Sequence, residues 1–259
     1  MLTRLAPTPS GLLHMGNACN FLVTWAYSRA RGGRVLLRID DADPNMVHPE
    51  GIADIHDTLS WLMIDIDGQL PSQQSRYGRY WSAIEELTAE AHIYACDCTR
   101  SQIRAASPGG HYPGTCRDRG LAVEAPEVSL RCRVDDEFGD PVVWGKNRVP
   151  AYHVASLCDD VDAGVTHVIR GDDLTAASAV QLQIARRAPS LASFCAMSII
   201  HHPLLLGQNG QKLSKSVHST TLRSLRAAGL SRSAVVEAAM ALADPQTGQY
   251  LAERISTRT

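Results

Sequence analysis

Aromatic residues are scarce in this 259-residue chain, 5% in all. No apolar run reaches the roughly 18 residues that a membrane-spanning helix needs. The opening Met1-Leu2-Thr3-Arg4-Leu5-Ala6-Pro7 lacks the apolar core of a secretory leader. There is no internal repeat and no low-complexity tract, which argues against solenoid and disordered classes. Excess charge is absent too: 25 Lys and Arg against 27 Asp and Glu leave a net charge of −2. Bulk charge therefore does not mark a nucleic-acid binder, although it leaves room for a local basic face. Seven cysteines, an odd number in a long chain, speak against a disulfide scaffold. A cytoplasmic, reduced protein that is not membrane-bound is the expectation. What is present, 44% hydrophobic and 20% charged residues, is ordinary for a globular protein. The length suits one large domain, or one domain with an inserted module.

Periodicity predicts a strand over Leu2 to Ala6, stopped by Pro7 and Pro9. Ala18, Phe21, Leu22, Trp25, Ala26 and Ala30 then recur at helical spacing, up to Gly32-Gly33. A second strand follows over Arg34 to Ile39, which makes a βαβ unit and implies a parallel sheet. Helical stripes appear at Ile52, Ile55, Leu59 and Leu62, and at Tyr77, Tyr80, Trp81, Ile84 and Leu87. From Tyr94 to about Arg148 the composition turns to Cys, Gly, Pro and charge, as expected of an insertion. The α/β pattern resumes at Tyr152 to Leu157 and Thr166 to Ile169, followed by an Ala-rich helix around Leu182. A strand is expected over Phe194 to Leu206, and a helical tail over Leu222 to Leu242.

Two segments carry chemistry. Pro7-Thr8-Pro9-Ser10-Gly11-Leu12-Leu13-His14-Met15-Gly16-Asn17 places a rigid loop, an imidazole and a glycine at the mouth of a helix. Unpaired N–H groups and partial positive charge at a helix N-terminus suit a phosphate. Gly16 lets a base or phosphate approach the backbone, and His14 can donate to a phosphate oxygen. Lys212-Leu213-Ser214-Lys215-Ser216 presents two lysines able to neutralise a leaving pyrophosphate. Taken alone, each segment also fits a Pro-rich turn or a solvated basic loop.

Together with Arg38-Ile39-Asp40-Asp41-Ala42-Asp43-Pro44 and Val168-Ile169-Arg170-Gly171-Asp172-Asp173-Leu174, the pair resembles the glutamyl branch of the class I aminoacyl-tRNA synthetases. The resemblance runs from Arg4 to about Ser216 and is nearest to the short glutamyl-queuosine tRNA(Asp) synthetase family. It implies a Rossmann-type α/β catalytic domain with a Cys-bearing insertion and a short helical C-terminal tail. The expected divisions are 1–93 and 149–207 for the two catalytic halves, 94–148 for the insertion, and 208–259 for the lysine loop and tail.

The resemblance further implies ATP-dependent activation of glutamate and transfer to queuosine of tRNA(Asp), with Mg²⁺ accompanying ATP. Arg4, Ala6, Thr8, Asp40, Tyr152 and Arg170 match amino-acid contacts; His14, Gly16, Asn17 and Lys215 match the ATP site; Lys212 joins His14 and Lys215 in catalysis. Asp40 stands where the family has Glu, which sets its carboxylate back ~1.5 Å. Asn17 replaces a second histidine. Cys96, Cys98 and Cys116 can bind Zn²⁺ as thiolates, with a fourth ligand required. The short family uses a tyrosine at the position of Tyr112; His111 is the chemically more ordinary choice. Cys19, Cys132, Cys158 and Cys195 are expected as small buried hydrophobes.

Other functions share these features: a same-fold ligase charging a small molecule or carrier protein, a nucleotidylyltransferase, or a non-catalytic paralogue binding tRNA or an amino acid. The lysine pair speaks against the last. Only 44 residues follow Lys215, too few for a full anticodon-binding module, and a monomer is expected. After residue 200, seven lysines and arginines face three acids, a net +4 that fits a basic C-terminal face.

Overall fold

The computed structural model describes residues 1–107, 109, 111–135, 137–205 and 220–256, with side chains described through Arg254. The chain forms two compact units. Unit 1 holds Met1–Ser72, Val165–Thr175 and the chain from Ser198 onward; unit 2 holds Gln73–Gly164 and Ala176–Met197.

Unit 1 opens with β1 (Leu2–Leu5), α1 (Met15–Arg29), β2 (Arg34–Leu37), α2 (Pro49–Trp61) and β3 (Gly68–Gln69). The chain then builds most of unit 2: α3 (Tyr77–Ala89), β4 (Ile93–Cys96), α4 (Arg100–Ala106), β5 (Ser129–Cys132), β6 (Val142–Trp144) and α5 (Tyr152–Asp162). It returns to unit 1 for β7 (His167–Gly171). Helix α6 (Thr175–Arg187) lies in unit 2 apart from Thr175, and β8 (Ser198–His202), α7 (Leu222–Ala227), α8 (Arg232–Met240) and α9 (Pro245–Ser256) complete unit 1.

In unit 1, β1 pairs in parallel with β2, and β2 with β3, as a right-handed crossover through α1 requires. Strand β7 pairs in parallel with β8, and the N–H of Thr166 donates to the carbonyl of Leu2 at 2.9 Å, joining the β7 edge to β1. Strand β1 (Leu-Thr-Arg-Leu) is buried from Thr3 to Leu5, polar residues included, because both faces are covered. Leu5, Val35 and Leu37 share one core with Phe21, Leu22 and Trp25 of α1, Ile55 and Leu59 of α2, and Leu222, Val235 and Leu251 of the tail. The tail helices therefore pack onto the first βαβ unit.

Unit 2 is built differently. Its sheet, in the order β4-β5-β6, is antiparallel, with a register shift between Leu130 and Arg131. The expected strand from Phe194 is shorter than its apolar run suggests. Pro189 opens a 3-10 segment over Pro189–Ala196, Phe194 is buried within it, and β8 begins only at Ser198. Pro203, with no N–H to offer a ladder, follows its last residue.

Candidate active site

The loop after β1 delivers the sequence motif to the N-terminus of α1. His14 is the N-cap: its Nδ1 accepts the N–H of Asn17 at 3.3 Å, while Asn17 Oδ1 accepts the N–H of His14 at 3.0 Å. This reciprocal capping box is the structural use of the asparagine. The first turn carries no acid, so the positive end of the helix dipole is undiminished. Gly16 sits beneath the imidazole, where an added Cβ would meet His14 Cε1 at 3.0 Å.

A cavity of about 450 Å³ opens over this helix end, lined by Ala6, Thr8, His14, Gly16 and Asn17 among others. Its lining also includes Gly171, the last residue of β7, Asp173 just beyond it, and His202, the last residue of β8. His202 is buried and orders its own ring: Nδ1 lies 2.8 Å from the carbonyl of Pro203, and Nε2 lies 2.9 Å from Asn20 Nδ2. An N–H at Nδ1 donating to that carbonyl leaves Nε2 to accept from the amide. A Cβ on Gly171 would meet the Leu204 side chain at 2.6 Å and Asp173 Oδ1 at 2.7 Å, so both side chains close over this glycine.

Arg4, Asp40 and Arg170 do not line this cavity among its described residues. Arg4 is buried on β1, and Arg170 is buried on β7 opposite His201 of β8. Asp40 leaves β2 beside the loop, its N–H donating to the Pro7 carbonyl at 2.9 Å. Its carboxylate receives Arg38, with Nε at 2.6 Å and a second guanidinium nitrogen at 3.5 Å, and the Arg38 side chain is fully buried. Tyr152 belongs to unit 2, where it opens α5 and is 38% exposed. Lys212 and Lys215 lie outside the described residues.

Sequence reasoning missed Arg38, Asn20, Asp173 and His202. The i, i+2 spacing of Arg38 and Asp40 past a strand was a usable signal for a shared face. The partners Asn20 and His202, 182 residues apart, left no local signature.

In unit 2 the thiols of Cys96, Cys98 and Cys116 lie within 4.8 Å of one another. Cys98 and Cys116 Sγ are 3.4 Å apart. The Tyr112 hydroxyl is 3.3 Å from Cys96 Sγ and 3.8 Å from Cys98 Sγ, and it accepts the N–H of Cys116 at 2.8 Å. His111 instead turns Nδ1 to the Phe138 carbonyl at 3.2 Å. Three thiols and a phenol oxygen converge, a donor set that fits a tetrahedral metal. Burial would raise the Cys96 thiol, but hydrogen bonds from Tyr112 and Arg131 outweigh it and hold the thiol below its usual range.

The surrounding packing fixes this set. The Arg131 guanidinium stacks 3.6 Å from the Tyr112 ring centroid and donates to the Asp140 carbonyl at 2.6 Å. Asp140, fully buried, accepts from Arg117 at 2.8 Å, from Tyr94, and from the N–H of Val134 at 3.0 Å. Gly139, at φ +65°, brings its backbone so close that a Cβ would meet the Tyr112 N at 2.8 Å. Of the other cysteines, Cys19, Cys132 and Cys158 are buried as expected, each thiol pushed up to about 12 by burial. Cys195 is exposed, contrary to expectation, because the short 3-10 segment buries neighbouring Phe194 and turns position 195 outward.

Comparison with known proteins places the chain. The model of the tRNA synthetases class I (E and Q), catalytic domain, matches residues 1–110 and 118–250. The chain is 37% identical over 246 residues to the glutamyl-Q tRNA(Asp) synthetase of Prochlorococcus marinus (strain MIT 9303), covering 90% of this chain and 78% of that protein. It is 36% identical over 264 residues to the glutamate–tRNA ligase of Bradyrhizobium sp. (strain ORS 278), covering 91% of this chain and 54% of that one. Among solved structures, glutamate–tRNA synthetase from Elizabethkingia anophelis superimposes with a TM-score of 0.71 at 23% identity, over 89% of this chain and 54% of that one. The chain thus spans about half the length of these two longer synthetases. On the strength of a match reaching from residue 1 to residue 250, this chain belongs to the class I tRNA synthetases of the E and Q group and is a ligase of that class.

Proposed function

We propose that this protein activates glutamate with ATP and passes the glutamyl group to a tRNA, the acceptor being queuosine in the anticodon of tRNA(Asp). The observation that carries this reading is the convergence of Ala6, Thr8, His14, Gly16 and Asn17 on one cavity at the N-terminus of α1. That helix end supplies N–H groups and a positive field for the phosphates of ATP, with Mg²⁺ accompanying the nucleotide. Arg4 and Arg170 offer guanidinium forks to the carboxylates of glutamate, and Asp40 receives its ammonium group. The α-carboxylate attacks the α-phosphorus in line; the new C–O–P bond forms as the bond to pyrophosphate breaks. Lys212 and Lys215 neutralise the departing pyrophosphate, so catalysis is positioning and electrostatic stabilisation. The queuosine acceptor is supported by the name of the Prochlorococcus relative.

Cys96, Cys98, Cys116 and Tyr112 hold a structural Zn²⁺, which supplies folding energy to its loop and takes no part in the reaction. The test is pyrophosphate exchange with each common amino acid, followed by transfer to tRNA(Asp) with and without queuosine. Glutamate-dependent exchange and queuosine-dependent transfer are expected. Absence of exchange with any acidic amino acid overturns glutamate, and equal transfer to both RNAs overturns queuosine.

A further inference from the structure

The loop that leads to His14 is shaped from below by one face of α2. Gly51 and Asp54, three residues apart, lie on the same side of that helix. A Cβ on Gly51 would meet the Pro9 carbonyl oxygen at 2.7 Å and that of Gly11 at 3.0 Å, so glycine is what lets α2 approach the loop backbone. Just before α2, the N–H of His48 donates to the same Pro9 carbonyl at 2.9 Å.

Asp54 acts one step nearer the cavity. Its side chain is 1% exposed, and Oδ2 accepts the N–H of Leu13 at 2.8 Å. Its Oδ1 lies 3.3 Å from the guanidinium of Arg223 on α7. The carbonyl of Leu13 in turn accepts the N–H of Leu222, the first residue of α7, at 2.7 Å. Both backbone polar groups of Leu13, the residue before the N-cap, are thus fixed by α2 and α7. Burying a carboxylate is costly unless it is paired, and the Arg223 ion pair with a charge-assisted bond to Leu13 is such a pairing.

We infer that Asp54 is a positioning residue for the nucleotide site: it locks the Leu13 peptide and so aims the His14 imidazole and the Gly16 backbone at the cavity. The inference rests on the proposed reading of that cavity as the ATP site. A shift of about 1 Å in such a group can cost up to about a hundredfold.

The decisive measurement is the ATP dissociation constant by titration calorimetry, for wild type, D54A, D54N and R223A, with the melting temperature of each. D54A is expected to weaken ATP about tenfold, since it strands the Leu13 N–H. D54N falls between, because its amide oxygen still accepts that N–H but the ion pair is lost. R223A, which alters a half-exposed side chain, gives a smaller loss in the same direction. Melting temperatures that fall while ATP affinity stays within about twofold in D54N and equals wild type in R223A would overturn the inference, leaving Asp54 a purely structural residue. Those two variants decide the matter if D54A does not fold. A wild type that binds no ATP overturns the underlying reading instead, so the two failures are distinguishable.

Discussion

His14 serves α1 and the cavity at once, which makes Gly16 the sharpest probe of the site. An alanine there gains helix propensity worth about 0.5–1 kcal/mol. Its Cβ, however, meets the imidazole at 3.0 Å, so the ring must shift by a few tenths of an ångström against its contact with Asn17. Gly16→Ala should therefore leave the melting temperature nearly unchanged while weakening ATP binding roughly tenfold, as calorimetry would show. Affinity equal to wild type would free Gly16 of any role in the site. At Asp40 both quantities should move. Asp40→Asn removes a charged partner of the fully buried Arg38, at a cost of about 1–3 kcal/mol in denaturant melts. It should also raise the KM for glutamate by about thirtyfold in pyrophosphate exchange, through loss of a charge-assisted hydrogen bond.

The cysteine loop shows how an element with few long apolar side chains is held. Cys96, Cys116 and Tyr112 form a small core with Tyr94, braced by Arg131 and the buried Asp140–Arg117 pair. A bound metal would add the cross-link that so small a core lacks. Purified protein should carry about one Zn²⁺ per chain by mass spectrometry. Chelation or Cys116→Ser should lower the melting temperature by roughly 5–10 °C. ATP affinity in the chelated protein should persist below that temperature, because the described lining residues of the α1 cavity all belong to unit 1. The tail helices follow a different rule. Among the described residues, three tail arginines make intramolecular contacts: Arg223 with Asp54, Arg226 with Asp57 and the Trp61 ring, and Arg254 with the Tyr250 ring. Arg223 and Arg226 thus pin α7 to α2.

Across the protein, burial and charged or hydrogen-bonding partners together set titration behaviour. The His201 imidazole is held below its usual range by burial first and then by Arg170, its strand partner. His167 is held down by burial and the N-terminal ammonium. The folded state thus keeps both rings neutral at pH values where the unfolded chain, titrating near about 6.5, already binds protons. Stability should be full above about pH 7 and decline as pH falls through 6.5 toward the folded-state values. A second decline should follow below about pH 4, as the carboxylates of Asp140 and Asp244 are protonated. Burial opposes ionisation of both, but Arg117 and Tyr94, and Thr247 and Arg31, hold them below the ordinary range. Melting temperatures from pH 8 to 3 check both steps, and His201→Gln should flatten the first.

Much of this protein can be read one segment at a time. The βαβ start, the helix-mouth position of His14 and Gly16, and the Cys-rich insert follow from periodicity, glycine and proline placement, and spacing over a few residues, because those signals act locally along the chain. The approach of the Tyr112 hydroxyl to the three thiols, the Arg38–Asp40 clasp, the Asn20–His202 pair and the hold of Asp54 on Leu13 were set by folding. Each joins groups that are distant or ambiguous along the chain, as the thiols join Tyr112 rather than the adjacent His111. Burial is what makes those pairings matter, since a polar group withdrawn from water must find a partner, and which partner lies within reach depends on how the strands and helices pack.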